Sequence, residues 1–338
     1  MPGATTPGDF LNLGAGARAA GMGGAYSAVA DDATALYWNP AALTQIESHD
    51  AVLMHAPYFA DSFLDYGAYG HNLSNLGAYG LGLQYFSAGA IPQTQNGQNF
   101  GTYHPYDLAA SAGYAYTFKE TGLDALDGFS LGIAAKHIRS KILTTASAQA
   151  LDWGALSPAY FDGKLKLALA MSNIGSGIKF DQATEPLPLI MRWGSACRVM
   201  ENWVVSLDVD VPRFAGPYGA IGTEYAHSVT GAWRLAMRGG FNSQTAGDGV
   251  SGVALGIGLS NGRLAFDYGF TPVAALGFSQ RISLGFRWGD KPRLPEKSPG
   301  GKPHMGRNLA DGASAHLTSA NILIASSRSL PLIGLHTP

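Results

Sequence analysis

Near the start of the chain, Gly14-Ala15-Gly16-Ala17-Arg18-Ala19 fits the G-x-G-x-x-G/A pattern of a dinucleotide-binding loop. In that motif, glycines let backbone N–H groups approach a pyrophosphate at a helix N-terminus. The adjacent carboxylates Asp31 and Asp32 are of the type that binds metals or carries acid–base chemistry. The context does not support the nucleotide reading. The fingerprint should follow a buried strand and open a helix within a βαβ unit. Only Phe10-Leu11-Asn12-Leu13 precede it, and Gly21, Gly23 and Gly24 interrupt any helix it could start. Elsewhere the nine histidines are scattered, with no H-E-x-x-H and no G-x-S-x-G elbow. Cys197 is the only cysteine, which excludes intrachain disulfides and cysteine-based metal sites. No catalytic, cofactor or metal site is therefore expected, and the chain reads as non-enzymatic.

The elements behind these residues begin with composition. Charged residues make up 14% of the chain, against about 25% in typical soluble domains. Glycine is over-represented at 45 of 338 residues, and mean hydropathy is near zero. No apolar run approaches the roughly 18–20 residues of a transmembrane helix. A large soluble β protein and a membrane β-barrel both fit. A barrel hides its apolar face in every second residue, so its average hydropathy stays ordinary. The net charge of −2 and the absence of a basic–aromatic reading motif argue against a nucleic-acid partner.

From about residue 49 to 288 the chain alternates with period 2, the signature of strands with one apolar and one polar face. Ile282, Leu284, Phe286 and Trp288 oppose Arg281, Ser283, Gly285 and Arg287. Trp203, Val205, Leu207, Val209 and Val211 oppose Ser206, Asp208 and Asp210, while Leu165, Leu167, Leu169 and Met171 oppose Lys164 and Lys166. Trp233, Leu235 and Met237 oppose Arg234 and Arg238. Asp208, Asp210, Arg234 and Arg238 are expected to form lumen ion pairs. Cys197 falls on the apolar face with Met191, Trp193 and Val199, where a lipid-facing, inert thiol is expected.

About fourteen strands follow, near 49–57, 64–72, 77–86, 105–118, 128–139, 148–157, 163–173, 189–200, 202–211, 217–227, 232–241, 250–260, 262–270 and 279–288. Several approach ten residues, the length a tilted strand needs to cross a bilayer. Connections after even-numbered strands are mostly short, as at Ser74-Asn75, Glu201-Asn202 and Asn261-Gly262. Those after odd-numbered strands are mostly longer, as at 87–104 and 175–188; the link 119–128 is the exception. Outer-membrane barrels show this parity, and a soluble meander has no reason to. The fold class is all-β: a transmembrane antiparallel barrel.

With a barrel in place, the opening stretch resembles the N-terminal signature of the PorV/PorQ family of outer-membrane proteins, similar to FadL-type barrels. The matching residues are Gly16-Ala17-Arg18-Ala19-Ala20-Gly21-Met22-Gly23-Gly24-Ala25 and Val29-Ala30-Asp31-Asp32-Ala33-Thr34-Ala35-Leu36-Tyr37-Trp38-Asn39-Pro40-Ala41. A second match is Ser172-Asn173-Ile174-Gly175 with Ile178-Lys179-Phe180 and Pro186-Leu187-Pro188. The resemblance implies that residues 1–48 fold into the lumen as a hatch and that 49–289 form the barrel in the bacterial outer membrane. Gly16, Arg18, Gly21, Gly23, Gly24, Asp31, Asp32, Trp38, Asn39 and Pro40 are the candidate hatch residues, structural or gating. Asp31 or Asp32 is expected to cap a short helix through Ala33–Trp38, with Asn39-Pro40 stopping it. This capping and hydrogen-bonding role is preferred over a metal-binding or catalytic one.

The resemblance also implies the partners: outer-membrane lipid, and either secreted cargo and type IX secretion components or hydrophobic small molecules. No signal peptide precedes the barrel, so a mature or truncated start is expected. Residues 290–338, Pro/Gly/Lys-rich at first, are expected to form a disordered tail. It reads as an appended segment or as an out-of-frame read-through, the latter preferred.

Overall fold

The computed structural model describes residues 8–289 except 96–97, 120, 122, 124–125, 181–182, 247–251 and 273–277. The expected tail, 290–338, lies outside the described residues. The strands are β1 (His49–Pro57), β2 (Phe63–Asn72), β3 (Ala78–Ser87), β4 (Ile91–Gln95), β5 (Gln98–Tyr103), β6 (Tyr106–Thr117), β7 (Ser130–Lys141), β8 (Thr145–Leu156) and β9 (Leu165–Gly175). They continue with β10 (Ile178–Phe180), β11 (Ala183–Glu185), β12 (Ile190–Met200), β13 (Trp203–Pro212), β14 (Tyr218–Thr230), β15 (Trp233–Asn242), β16 (Val253–Ser260), β17 (Leu264–Pro272) and β18 (Phe278–Trp288). Fourteen of them close into one antiparallel barrel, in the order β1-β18-β17-β16-β15-β14-β13-β12-β9-β8-β7-β6-β3-β2. At the seam, Asp50 lies opposite Arg287 and Leu53 opposite Leu284, so in-facing and out-facing residues match across the closure.

Two features differ from the periodicity reading. The connections 87–104 and 175–188 are not plain loops: they carry the hairpins β4–β5 and β10–β11, each a separate two-stranded sheet. The link between β7 and β8 is a tight turn at 142–144, because both strands run past their expected ends into polar Ser, Lys and Thr residues. Their alternation there is masked by composition, although the ladder hydrogen bonds continue.

No described helix is long and apolar enough to cross a membrane, which has no bearing on crossing by strands. The outward face of the barrel is apolar: Leu53, Leu83, Ile133, Trp193, Leu207, Ile257 and Leu284 are all exposed. Aromatic side chains gather on this face near both strand ends. At the short-turn end, His49, His71, Tyr69 and Trp288 stack across the seam, with His49 and Trp288 almost parallel (2°). At the other end Phe63, Tyr85 and Tyr106 form a second cluster. An apolar band between aromatic girdles is the surface that a bilayer solvates. Cys197 is exposed on that outward face.

The inward face is small and polar, and residues 8–46 pack against it. This segment has little regular structure: 3-10 turns at Asp9–Asn12 and Pro40–Gln45, and the short helices α1 (Ala17–Gly21) and α2 (Ala35–Trp38). Tyr26, Met22, Leu36 and Leu43 are fully buried. α1 lies against β16 and β17, and the turn Pro40–Gln45 lies against β6, β7 and β8.

Candidate functional site

A segment with so little secondary structure leaves many backbone groups to satisfy, and a buried one left unpaired is costly. The inward polar residues of the strands supply the partners. Ser283 Oγ accepts from Ala17 N–H (2.8 Å), and one Asp208 oxygen accepts from both Tyr26 N–H and Ser27 N–H (3.2 and 2.9 Å). Asp50 accepts from Ala33 N–H (2.7 Å). Ser206 donates to Ala25 C=O, Asn242 to Gly23 C=O and Arg281 to Leu13 C=O. The Ser, Asp, Asn and Arg of the polar strand faces thus act as capping groups for an irregular chain.

The glycines serve the same fit. A Cβ on Gly21 would stand 2.8 Å from Gly256 Cα, so the two backbones touch where α1 crosses β16. Gly23 lies in the left-handed region (φ 66°) against the backbone of Phe241. The donors a pyrophosphate would need are already engaged: Gly16 N–H faces Met54 Sδ (3.1 Å) and Ala17 N–H is held by Ser283. With α1 only five residues long, no phosphate cradle exists there.

A charged seam joins segment and wall. Arg18 of α1 forms a bidentate pair with Glu224 of β14, Nε–Oε2 and Nη2–Oε1 both 2.8 Å, and also reaches Asp31 (2.5 Å). Glu224 is shared with Arg238 (2.5 Å), which reaches Asp267 (2.7 Å). Arg287 spans Asp50 (2.8 Å) and Asp31 (3.5 Å). Burial alone would lower the Arg18 guanidinium, but Asp31 and Glu224 outweigh it and hold it well above its ordinary value. Burial likewise pushes the Asp31 carboxyl up, while Arg18 and then Arg287 reverse the direction and hold it below the usual carboxylate range. Both groups stay charged across the physiological range.

Opposite this seam, two more barrel cations cover the aromatic residues of the segment. Arg192 sits over Trp38 and Tyr37 (5.4 and 5.8 Å to the ring centroids) and Lys136 over Tyr37 (5.9 Å). Lys136 pairs with buried Asp152 (2.7 Å) and donates to Asn173 (2.9 Å).

Several sequence expectations change here. Neither Asp31 nor Asp32 caps the helix: Thr34 stands at the N-cap without a side-chain cap. Asp32 instead accepts from Thr34 N–H (2.9 Å) in the preceding turn and from Tyr26 OH (3.0 Å), and Asp31 is engaged by Arg18. Asn39-Pro40 ends α2 but passes the chain into a 3-10 turn, with Asn39 Oδ1 accepting from Ala41 N–H. Of Asp208, Asp210, Arg234 and Arg238, Asp210 and Arg238 form ion pairs, each with partners outside this set. Arg238 is in the seam, Asp210 faces Arg192 (3.7 Å), and Asp208 holds backbone. Arg234 is exposed at a cavity mouth. Glu224, Asp267, Asp50, Arg287, Arg192 and Lys136 were not singled out. Their inward parity was readable; their partners, up to 256 positions away, were not.

Two cavities open at the short-turn end, of about 290 and 420 Å³, and share Arg18, Asp31, Arg198 and Val204 in their walls. The first is bordered by the seam, Arg18, Glu224, Arg238, Asp267 and Arg287 among its lining residues. No group of three or more His, Cys, Asp or Glu side chains among the described residues is arranged to hold a metal ion.

A closed antiparallel wall, apolar outside, aromatic-girdled and polar within, defines a β-barrel of the membrane-spanning class, with a chain segment filling its interior. Within that class, the family model described as "Type IX secretion system protein PorV" matches residues 3–211, and the chain belongs to this family. Among solved structures it is similar to the CymD monoaromatic hydrocarbon channel, at 12% identity, 82% of this chain and 99% of that one, and TM-score 0.52. The Ralstonia pickettii toluene transporter TbuX gives 10%, 82%, 99% and 0.51, and the Pseudomonas putida toluene transporter TodX 11%, 80%, 96% and 0.51. At such identities the likeness establishes a shared barrel fold. No curated protein matches the chain.

Proposed function

We infer that the chain is a non-enzymatic outer-membrane barrel that acts as an accessory or cargo shuttle in type IX protein secretion, with residues 8–46 as its lumenal hatch. Membership of the PorV family is the observation that carries this reading. The filled interior supports it: a barrel whose segment is hydrogen-bonded to the wall from Phe10 to Asn39 is built to persist as a plugged body. The short-turn end would then face the periplasm, and the connections 87–104 and 175–188 would meet cargo outside. Purification from a cell that possesses the pathway should recover proteins bearing a type IX C-terminal domain. Recovery of none would overturn the assignment.

The second reading is a channel for hydrophobic small molecules, motivated by the solved barrels named for hydrocarbon transport. The lining of the two cavities weighs against it. An apolar solute there would displace water from charged groups and return no hydrogen bonds. The intact protein should give no uptake of a labelled hydrocarbon above background; protein-dependent uptake whose rate changes on removing Gly14–Ala30 would favour the channel.

A further inference from the structure

The two cavities share Arg18, Asp31, Arg198 and Val204 but differ in charge. The smaller is lined by five cations and six carboxylates, Arg198, Arg234 and Glu201 completing the seam residues with Asp31, Asp32 and Asp50. The larger is lined by four cations, Arg18, Lys164, Lys166 and Arg198, against a single carboxylate, Asp31. Asp31 is already engaged by Arg18 and Arg287.

The strand register brings the other three cations together. Ala196 lies opposite Lys166 on β12 and β9, and Arg198 N–H donates to the Lys164 carbonyl (2.7 Å). Lys164 and Arg198 are therefore cross-strand neighbours of like charge on the inward side, an arrangement that disfavours a sheet when left uncompensated. Lys166 lies within electrostatic range of Asp31 and, more weakly, of Arg198, and holds Gln45 Oε1 through its ammonium. Hydroxyl donors complete the wall: Thr44 Oγ1 bonds Ser130 Oγ (3.0 Å), which in turn contacts Thr117 Oγ1 (2.7 Å). At about 420 Å³ the space falls in the range of small-molecule sites, and a cleft lined by one sign of charge concentrates counter-ions of the other.

We propose that this cavity is a binding site for a phosphate-bearing anion, held by Lys164, Lys166 and Arg198. Lysine supplies compact point charges and arginine a planar fork, which together suit a tetrahedral oxyanion. The proposal stands apart from the secretion role and from the channel role, since it concerns a polar anion and a cavity beside the hatch.

The test uses the whole purified protein in neutral-detergent micelles, with inorganic phosphate as probe and sodium chloride at matched ionic strength as reference. Phosphate should raise the melting midpoint above the chloride value, because a ligand that binds only the folded state stabilises it. Calorimetry should show the phosphate affinity falling at least tenfold in Arg198→Ala and in Lys164→Ala. Lys141→Ala, which removes the same charge at the far end of β7, should leave it unchanged. Micelles doped with phosphatidylglycerol distinguish the source. A shift only in doped micelles, lost in the same two variants, assigns the phosphate to a lipid headgroup. Equal responses to phosphate and chloride with no lipid effect, or equal losses in the Lys141 variant, overturn the site.

Discussion

Glu224 is the residue on which the charged seam turns, because among the described residues it alone contacts both Arg18 of the N-terminal segment and Arg238 of the wall. Substituting one partner of a buried network leaves the others without their counter-charge. Glu224→Gln keeps the shape and removes the charge, so it should cost about 3 kcal/mol, read as a lower denaturation midpoint in detergent. Pairing it with Arg18→Met in a double-mutant cycle should return a coupling energy, as residues in direct contact do. Strictly additive losses would mean that the pair is not coupled in the folded protein. A neighbouring steric test is Gly21→Val. Its Cβ would meet the Gly256 backbone rather than a side chain that could swing aside, and overpacking of this kind costs about 1–3 kcal/mol. The folded band on an unheated gel should give way at lower temperature than in the parent. An unchanged transition would show that α1 does not press on β16.

Among the elements, β9 does two jobs. Its last turn places Asn173 in the left-handed region (φ 65°), where the side chain takes Lys136 and donates to Pro188 C=O (3.0 Å), and Asp152 accepts its N–H (2.8 Å). Pairing with β8 shifts register at this point. Beyond it, Ile178 of β10 and the following Leu187 join Phe10, Leu11 and Ile138 in an apolar cluster at the long-loop end. Asn173→Ala removes the tether to Pro188, and the connection 176–189 should then be cut faster in limited proteolysis while the barrel resists. Equal cleavage rates would contradict the tether. The physical reason this was not legible beforehand applies more widely. Period-2 alternation located all fourteen barrel strands to within a few residues, since one face meets lipid and the other does not. The hairpins β4–β5 and β10–β11 lack that two-sided contrast and left no signal. The Asn-Ile-Gly motif was visible as a resemblance, yet its work depends on Lys136 and Asp152, which only the strand register brings near. The same limit hid the seam: Arg18 was legible, and Glu224 sits in a strand whose alternation is blurred by Gly219, Gly222, Ala220 and Ala226.

On the scale of the molecule, strand number explains why the interior needs a further chain segment. About eight strands leave an interior that side chains can fill, whereas 16 to 18 leave a water channel. Fourteen strands with inward Gly, Ala and Ser cannot fill their own lumen, and residues 8–46 occupy it instead. Deleting Gly14–Ala30 removes Arg18, Met22 and Tyr26 together with the partners of Asp208, Ser206 and Asn242. Those side chains would then have to be solvated, and water can reach them only by entering the lumen. The deletion variant should therefore give single-channel steps in planar bilayers where the intact protein gives none, sensitive to the inward charges that remain. Wall stability should fall less than conductance rises, because the inter-strand hydrogen bonds do not involve the deleted residues. A folded deletion variant that stayed electrically silent would mean that the long connections, rather than the N-terminal segment, close the barrel. The apolar cluster of Ile178 and Leu187 would then be the next place to cut.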